Sequence, residues 1–281
     1  MGTYRYVVAD VFTSSPLAGN QLAVFTDARR IPEEQLQPLA KEMAFSETVF
    51  VYPPEQGGHV RLRIFTPASE LPFAGHPILG TAFVLAAPMQ LGVIALETGK
   101  GIVPVELERD ESGRIVFGRM TQPVPAVEAF AQAHELLAAL GVERSELPVE
   151  VYDNGARHVY VALAGEAAVV ALAPDLAALA RLPVLGANCF AGAGARWKTR
   201  MFAPADDVAE DPATGSAAGP LACHLARHGW IGWGEQIEIS QGAEIGRPST
   251  LFATAHGGEG RIERVEVGGS AVVVARGEFR L

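Results

Sequence analysis

Cysteine is nearly missing from this chain, whose 281 residues include only Cys189 and Cys223. Two cysteines cannot supply the several disulfide bonds that hold small secreted domains together. The sequence therefore favours a reducing, cytoplasmic location, with both thiols expected to be small, buried and apolar in character.

Basic residues and long apolar runs are also scarce. The chain has 22 Lys and Arg against 32 Asp and Glu, which gives a net charge of −10. This balance excludes the clustered positive charge of a nucleic-acid-binding surface. No apolar run approaches the ~20 residues that cross a bilayer as a helix. We therefore expect neither nucleic acid nor membrane as a partner.

Motifs of the common cofactor and nucleophile sites are missing as well. There is no Walker loop, no Gly-x-Ser-x-Gly motif and no zinc cluster, and Gly192-Ala-Gly194 lacks the third glycine of a dinucleotide fingerprint. His224 and His228 lie four residues apart on a predicted helix, as metal ligands can. No third ligand is close to them in the sequence, so we predict no metal site.

One stretch that is present combines a strand end, a proline-rich loop and a helix start. It runs from Phe65 to Gly80 with the sequence FTPASELPFAGHPILG. Pro77 suits the first turn of a helix, and the apolar run Ile78–Ala87 follows it. The start of a helix has free N–H groups and a partial positive charge, which can hold a carboxylate or phosphate.

The chain repeats this stretch near half its length. Arg63–Pro67 (RIFTP) matches Arg200–Pro204 (RMFAP), at an offset of 200 − 63 = 137 positions. Ala74–Gly80 matches Thr214–Pro220, at an offset of 214 − 74 = 140 positions. The repeat predicts two similar lobes, whose helix starts face each other and clamp one small anionic ligand.

The remaining pattern is mostly β, without regular strand–helix–strand alternation. Helices are predicted over Pro32–Ala44, Val127–Leu140 and Ser216–His228. Pro220 is compatible with the last of these only in its first turn. Short strands separated by Gly, Pro and Asn turns account for most of the rest.

Four polar residues are candidates for chemistry. Glu47 has apolar neighbours, so partial burial would raise its pKa and suit it to carry a proton. His76 stands at a helix start, where the positive end favours a neutral imidazole. Asp211 and Ser216 flank the second helix start. The alternatives are structural: a solvent-facing glutamate, a loop histidine, and ordinary helix caps at Asp211 and Ser216.

Together these stretches resemble the PhzF family of phenazine-biosynthesis-like isomerases, which is similar in fold to diaminopimelate epimerase. The matching segments are Asp10–Phe12 with Gly19–Asn20, Phe45–Thr48, Glu70–Pro77 and Glu210–Ser216. The resemblance implies an α+β fold of two pseudosymmetric lobes, each a curved sheet or barrel around a central helix. The expected lobes are residues 1–122 and 123–281, with the final strand free to return to the first lobe.

The resemblance also implies an active site between the lobes, no cofactor, and a homodimer. It places the catalytic roles on Glu47, His76 and Asp211. The residues implied to contact the substrate are Asn20, Ser46, Gly75, Gly215 and Ser216. In the best-known activity of the family, the glutamate moves a proton on dihydro-3-hydroxyanthranilate, a small carboxylate-bearing molecule.

Two other functions remain open. Enzymes related to the family, the epimerases and proline racemases, use a cysteine at each helix start. This chain has Ala74 and Thr214 at those positions. Neither side chain can act as a thiolate, which disfavours an amino-acid epimerase or racemase. The second alternative is a non-catalytic small-molecule binding protein on the same scaffold.

Overall fold

The computed structural model describes residues 2–281. In chain order, the first half consists of β1 (Thr3–Val11), β2 (Asn20–Phe25), α1 (Glu33–Met43), β3 (Glu47–Tyr52), β4 (Val60–Phe65), β5 (Glu70–Leu71), α2 (Gly75–Met89), β6 (Val93–Thr98), β7 (Gly101–Arg109) and β8 (Ile115–Gln122).

The second half follows the same plan but has four helices where the first half has two. It consists of β9 (Ala126–Ala129), α3 (Ala133–Leu140), β10 (Glu150–Asp153), β11 (Arg157–Ala162), α4 (Glu166–Val170), α5 (Leu176–Leu179), β12 (Gly186–Ala193), β13 (Arg196–Ala203), β14 (Val208–Asp211), α6 (Gly215–Arg227), β15 (Gln236–Gln241), β16 (Ser249–Gly258), β17 (Arg261–Gly269) and β18 (Ala271–Arg280).

Strand pairing confirms the repeat seen in the sequence. In the first half β1 pairs antiparallel with β2, β2 parallel with β3, β3 antiparallel with β4, and β4 parallel with β6 across helix α2. The second half repeats this order with β10, β11, β12, β13 and β15, and helix α6 lies in the place of α2. The two halves therefore share one topology.

Strand β18, at the end of the second half, joins the first half, and β9 takes the equivalent edge position beside β10 in the second half. Strand β9 pairs antiparallel with β10, and β18 pairs with β1 from Thr3↔Arg280 to Val11↔Ala271. Strands β8 and β17 also pair, which makes the sheet continuous between the halves. The predicted lobe boundary at 122/123 falls between β8 and β9. The division itself stays a prediction, because these strands cross it.

Helices α2 and α6 form the centre of the two halves. Ile78 and Leu79 on α2 are fully buried, as are Leu221 and Leu225 on α6. A helix wrapped by a curved sheet has no solvent face, which explains why both are apolar nearly all round. The α+β fold with curved sheets around central helices is confirmed. In the part of the chain described here, no helix is long and apolar enough to cross a membrane.

The position of Pro220 differs from the prediction. Helix α6 begins at Gly215, so Pro220 lies beyond the first turn. A proline there has no N–H to donate to the carbonyl four residues earlier, on Ser216. The Asn154 side chain donates to that carbonyl instead, at 2.9 Å. The lost helix bond is replaced by one from the Asn-Gly turn between β10 and β11.

The predicted helix over Val127–Leu140 is wrong in its first third. Residues Ala126–Ala129 form β9, and the helix covers only Ala133–Leu140. Val127 pairs with Tyr152 on β10. The free edge of β10 supplies backbone partners to this segment, and such tertiary pairing outweighs local helix propensity.

Candidate active site

The first turns of α2 and α6 touch each other at the centre of the molecule. A Cβ atom added to Gly75 would lie 2.4 Å from the carbonyl carbon of Gly215 and 2.4 Å from the nitrogen of Ser216. Only glycine fits at this distance. Two helix N-termini, with their positive dipole ends, therefore meet at one point.

Neither helix start is closed by a side chain. The N-cap residues are Ala74 and Thr214, and neither makes a side-chain capping bond in the described structure. The Thr214 hydroxyl instead donates a hydrogen bond to Asp211 Oδ2. First-turn N–H groups without a cap are suited to hold an anion.

Glu47 is the first residue of β3 and is held there by parallel pairing with Leu22. Its side chain is 14% exposed, and its Oε2 is buried with no hydrogen-bond partner among residues 2–281. Burial raises the pKa of this carboxyl well above its usual value, and the charges of Asp211 and Asp206 raise it further. A carboxyl group with a raised pKa can act as an acid when protonated and as a base when ionised.

His76 lies in the first turn of α2, next to Glu47. Its Nδ1 is 3.4 Å from Glu47 Oε2 and 3.3 Å from the amide nitrogen of Asn20. The side chain is only 2% exposed, and burial lowers the pKa of the imidazole to about 3. The ring is therefore neutral at physiological pH, as the sequence predicted.

Asp211, at the end of β14, binds groups from both halves. Its Oδ1 accepts hydrogen bonds from Asn20 Nδ2 and Ser46 Oγ, both at 2.8 Å, and its Oδ2 accepts one from Thr214 Oγ1. Burial raises the pKa of Asp211, while these three donors lower it and reduce the net rise. Asp211 thus fixes Asn20 and Ser46, from the first half, against the start of α6.

A cavity of about 30 Å³ lies between these groups. Its wall includes Ser46, Glu47, Asp211 and Ser216. Asn20, Gly75, His76 and Gly215 are not part of the wall. A space of this size holds only about two water molecules, so it is smaller than a cyclic substrate.

A second cavity of about 650 Å³ adjoins the first. Ser46 and Val208 belong to both walls, and Asn20 lines the larger one. Arg200 and Arg247 also line it, each paired with a carboxylate, on Glu210 and Asp10. The larger cavity has room for a small organic acid and leads to the Glu47 chamber.

Two residues of the chamber were missed by sequence reasoning. His158, on β11, has its Nε2 at 3.0 Å from Ser216 Oγ. Asp206, between β13 and β14, has its Oδ1 at 2.9 Å from Ser69 Oγ across the halves. Both residues line the cavity of Glu47. His158 stands in an apolar strand, and Asp206 follows a proline in a loop, so neither has a local motif.

The cysteines lie outside the site, as predicted. Burial raises the pKa of both Cys189 and Cys223 to about 12, and neither lines the two cavities described above. The cysteine positions of thiol racemases are filled by Ala74 and Thr214 at the two helix N-caps. Neither thiol can supply a thiolate to this chamber.

The structure does supply a third partner for His224 and His228. Oε2 of Glu150 lies 3.2 Å from His224 Nδ1 and 3.0 Å from His228 Nε2, at the opposite end of α6. A third possible ligand is therefore absent from the neighbouring sequence but present in the structure. The same oxygen accepts a hydrogen bond from Arg227 at 2.8 Å. The guanidinium competes with any metal cation for this oxygen. The cluster is therefore best interpreted as an ion-pair network.

The chain matches known proteins over nearly its whole length. A trans-2,3-dihydro-3-hydroxyanthranilate isomerase of Pseudomonas aeruginosa is 54% identical, over 99% of this chain and all of the relative. A crystal structure of a PhzF-family phenazine biosynthesis protein of Bacillus anthracis covers both chains completely, with a TM-score of 0.85 and 25% identity. A hydroxyproline epimerase of Agrobacterium vitis has a TM-score of 0.70 at 12% identity, over 98% of this chain and 92% of the epimerase, which shows a common fold only.

The family match extends beyond single relatives. The model of the phenazine biosynthesis-like protein family matches residues 9–277, which include every candidate residue named above. Relatives of more than half identity over the full length are named isomerases, and this confirms the expected enzyme class. The chain belongs to the phenazine biosynthesis-like (PhzC–PhzF) protein family.

Proposed function

We propose that this protein isomerises trans-2,3-dihydro-3-hydroxyanthranilate, or a close carboxylate-bearing analogue, by moving one proton without a cofactor. The observation that carries the proposal is the buried Glu47 carboxyl, with its raised pKa, beside two paired helix starts. Relatives of 54% and 52% identity that bear the name of this isomerase support the choice of substrate.

The proposed reaction is balanced within the substrate. Glu47 in its carboxylate form takes a proton from an activated carbon, and the electron pair of the broken C–H bond moves into the conjugated system. The carboxyl then returns a proton to another carbon, where a new C–H bond forms. No oxidant or reductant is needed. The raised pKa makes the Glu47 carboxylate a stronger base than an ordinary glutamate, and the protonated carboxyl then acts as the acid.

His76 and Asp211 support Glu47 in different ways. The neutral His76 ring, 3.4 Å from Glu47 Oε2, can hydrogen-bond the substrate or the carboxyl without adding a charge. Asp211 holds Ser46 and Asn20 in place, and its negative charge helps to keep the pKa of Glu47 high.

The paired helix starts provide the proposed anion site. Backbone N–H groups of Gly75-His76 and of Gly215-Ser216 belong to two positive helix ends that meet at one point, and Ser216 lines the Glu47 chamber itself. They can bind the substrate carboxylate or stabilise the enolate-like charge that develops as the proton leaves. Because the helices are packed backbone to backbone, these donors are fixed before the substrate arrives.

The test is turnover of the dihydro compound in D₂O, followed by NMR. We expect isomerisation with one deuterium incorporated from solvent, and a loss of ~10²–10⁴-fold in rate for Glu47→Gln, which removes the proton carrier. Glu111→Gln, at an exposed loop position, is the matched control and should keep full rate. Full turnover by Glu47→Gln would contradict the assignment, and tight binding without exchange would instead support the non-catalytic binder.

The homodimer implied by the resemblance and the cytoplasmic location expected from the low cysteine content remain proposals. The buried, unpaired thiols of Cys189 and Cys223 are compatible with a reducing compartment. Light scattering of the purified protein measures the oligomeric state directly.

A further inference from the structure

The Ser216 hydroxyl has one polar side-chain partner in the described structure, the imidazole of His158. The His158 Nε2 and Ser216 Oγ atoms are 3.0 Å apart. His158 is 2% exposed and Ser216 is 5% exposed, so water does not compete for this contact. Both residues line the chamber of Glu47.

Ser216 is placed to act on a bound anion. It is the second residue of α6, in the uncapped first turn that meets the start of α2. Its carbonyl already accepts the Asn154 amide at 2.9 Å, so its hydroxyl and its first-turn backbone N–H are the groups left to meet a ligand. The hydroxyl hydrogen is free to donate to a ligand only if the Ser216 oxygen accepts the hydrogen bond from His158.

The surroundings of His158 decide the direction of the bond. Burial lowers the pKa of the ring to about 4, so it is neutral and carries one N–H. Its Nδ1 is buried without a hydrogen-bond partner. Orphaned buried N–H groups are rarer in proteins than under-used acceptors, which favours the tautomer with hydrogen on Nε2. His158 then donates to Ser216 Oγ, and the serine hydrogen is left to donate elsewhere.

We propose that His158 is a positioning residue of this site, which holds Ser216 as a hydrogen-bond acceptor so that the serine hydroxyl donates to the substrate carboxylate. The inference rests on the proposed function, because it assumes that the paired helix starts bind a carboxylate. It assigns the carboxylate-binding role at this end of the chamber to a pair of side chains, one from β11 and one from α6.

The test compares two amide replacements of His158. Glutamine can place its amide nitrogen near the position of Nε2, whereas asparagine is too short to reach Ser216. The probe is 3-hydroxyanthranilate, the aromatic analogue of the proposed substrate, measured by calorimetry. We expect His158→Asn to weaken binding about tenfold, as the loss of a charge-assisted hydrogen bond does, and His158→Gln to remain within about threefold of wild type.

Two further measurements separate positioning from general damage. In the Ser216→Ala background, His158→Asn should change the affinity less than about twofold, since the bond it supports is already gone. With the carboxamide of the same analogue, the difference between the Asn and Gln variants should disappear. In turnover, His158→Asn should raise KM while kcat changes little, because Glu47 is untouched.

The outcomes distinguish this inference from the proposed function. If wild type neither converts the dihydro compound nor binds its aromatic analogue, both ideas fail. If wild type does both and the Asn and Gln variants bind equally, only the role of His158 is overturned. Effects of His158→Asn and Ser216→Ala that multiply in the double variant would also overturn it.

Discussion

Gly75 and Gly215 lie backbone to backbone where the two central helices begin, and this contact fixes the geometry of the whole site. A Cβ atom on Gly75 would come within 2.4 Å of the Gly215 carbonyl carbon. Backbone atoms cannot swing aside as a flexible side chain can. The two helix starts can therefore lie this close together because neither glycine has a side chain.

Gly75→Ala should disrupt the site and destabilise the fold. We expect a loss of about 1–3 kcal/mol in the free energy of unfolding, typical of overpacking, together with a strong loss of turnover. Denaturant unfolding and activity assays measure the two effects. Gly92→Ala, where a Cβ would meet nothing within 4 Å, is the control. Equal behaviour of the two variants would show that the helix starts do not need their close contact.

Glu47→Gln should become more stable than wild type as the pH rises. The pKa of Glu47 is raised in the folded protein, so the folded state binds its proton more tightly than the unfolded chain does. Its contribution to stability is full below the unfolded pKa of 4.5 and is lost as pH rises through the folded pKa. Thermal melts between acid and mildly alkaline pH should show a difference in Tm that starts near zero and grows in favour of glutamine. A constant difference would mean that the carboxyl titrates normally.

Asp206→Asn should move the acid limb of the pH–rate profile to lower pH. The charge of Asp206 helps to raise the pKa of Glu47, although less than burial and Asp211 do. Removing this charge lets Glu47 ionise at lower pH, so its carboxylate form is available as the base at lower pH. The check is kcat/KM against pH, with Glu111→Gln at an exposed position as a charge-matched control. An unchanged limb would exclude Asp206 from tuning the glutamate.

Asp211→Asn should loosen the contact between the halves. An asparagine oxygen in the place of Oδ1 can still accept from Asn20 and Ser46, but an NH2 group in the place of Oδ2 cannot accept the hydrogen bond from Thr214 Oγ1. Each buried donor left unpaired costs about 1–3 kcal/mol, so we expect a marked fall in the free energy of unfolding and in turnover. Denaturant titration measures the first. Wild-type stability in this variant would show that Asp211 does not hold the halves together.

Replacing both cysteines should leave the reaction intact. Cys189→Ala and Cys223→Ala remove thiols whose pKa burial raises to about 12, outside the Glu47 chamber. We expect at least about half of the wild-type kcat, with modest losses of stability from the small cavities created. Iodoacetate should likewise leave wild-type activity unchanged. Rapid inactivation by iodoacetate would favour the thiol racemase alternative.

The sequence was informative where a residue type is required by the backbone or by the motif. The repeated glycines and the apolar runs behind them predicted both central helices, and the neighbours of Glu47 predicted its burial. These are local signals. The meeting of Gly75 with Gly215 was anticipated only because the stretch is repeated, which made the two helix starts equivalent.

Other features depend on contacts between distant segments and left no local signal. His158 gains its role from Ser216, 58 positions away in the chain. The segment Ala126–Ala129 becomes a strand because β10 offers it an edge. Pro220 is tolerated because Asn154 takes over the vacant carbonyl bond. In each case the partner, and not the residue itself, determines the outcome.

The pairing of β18 with β1 has a consequence for biosynthesis of the chain. Val11 and Ala271 are partners, as are Thr3 and Arg280, so a segment synthesised much later completes the sheet that β1 begins. The first half cannot close its sheet before β18 has been made, and one edge of β1 stays open until then. Closure by such remote segments is slow. A nascent chain that stalls before residue 271 would present an unpaired strand to its neighbours, with the aggregation hazard that this entails.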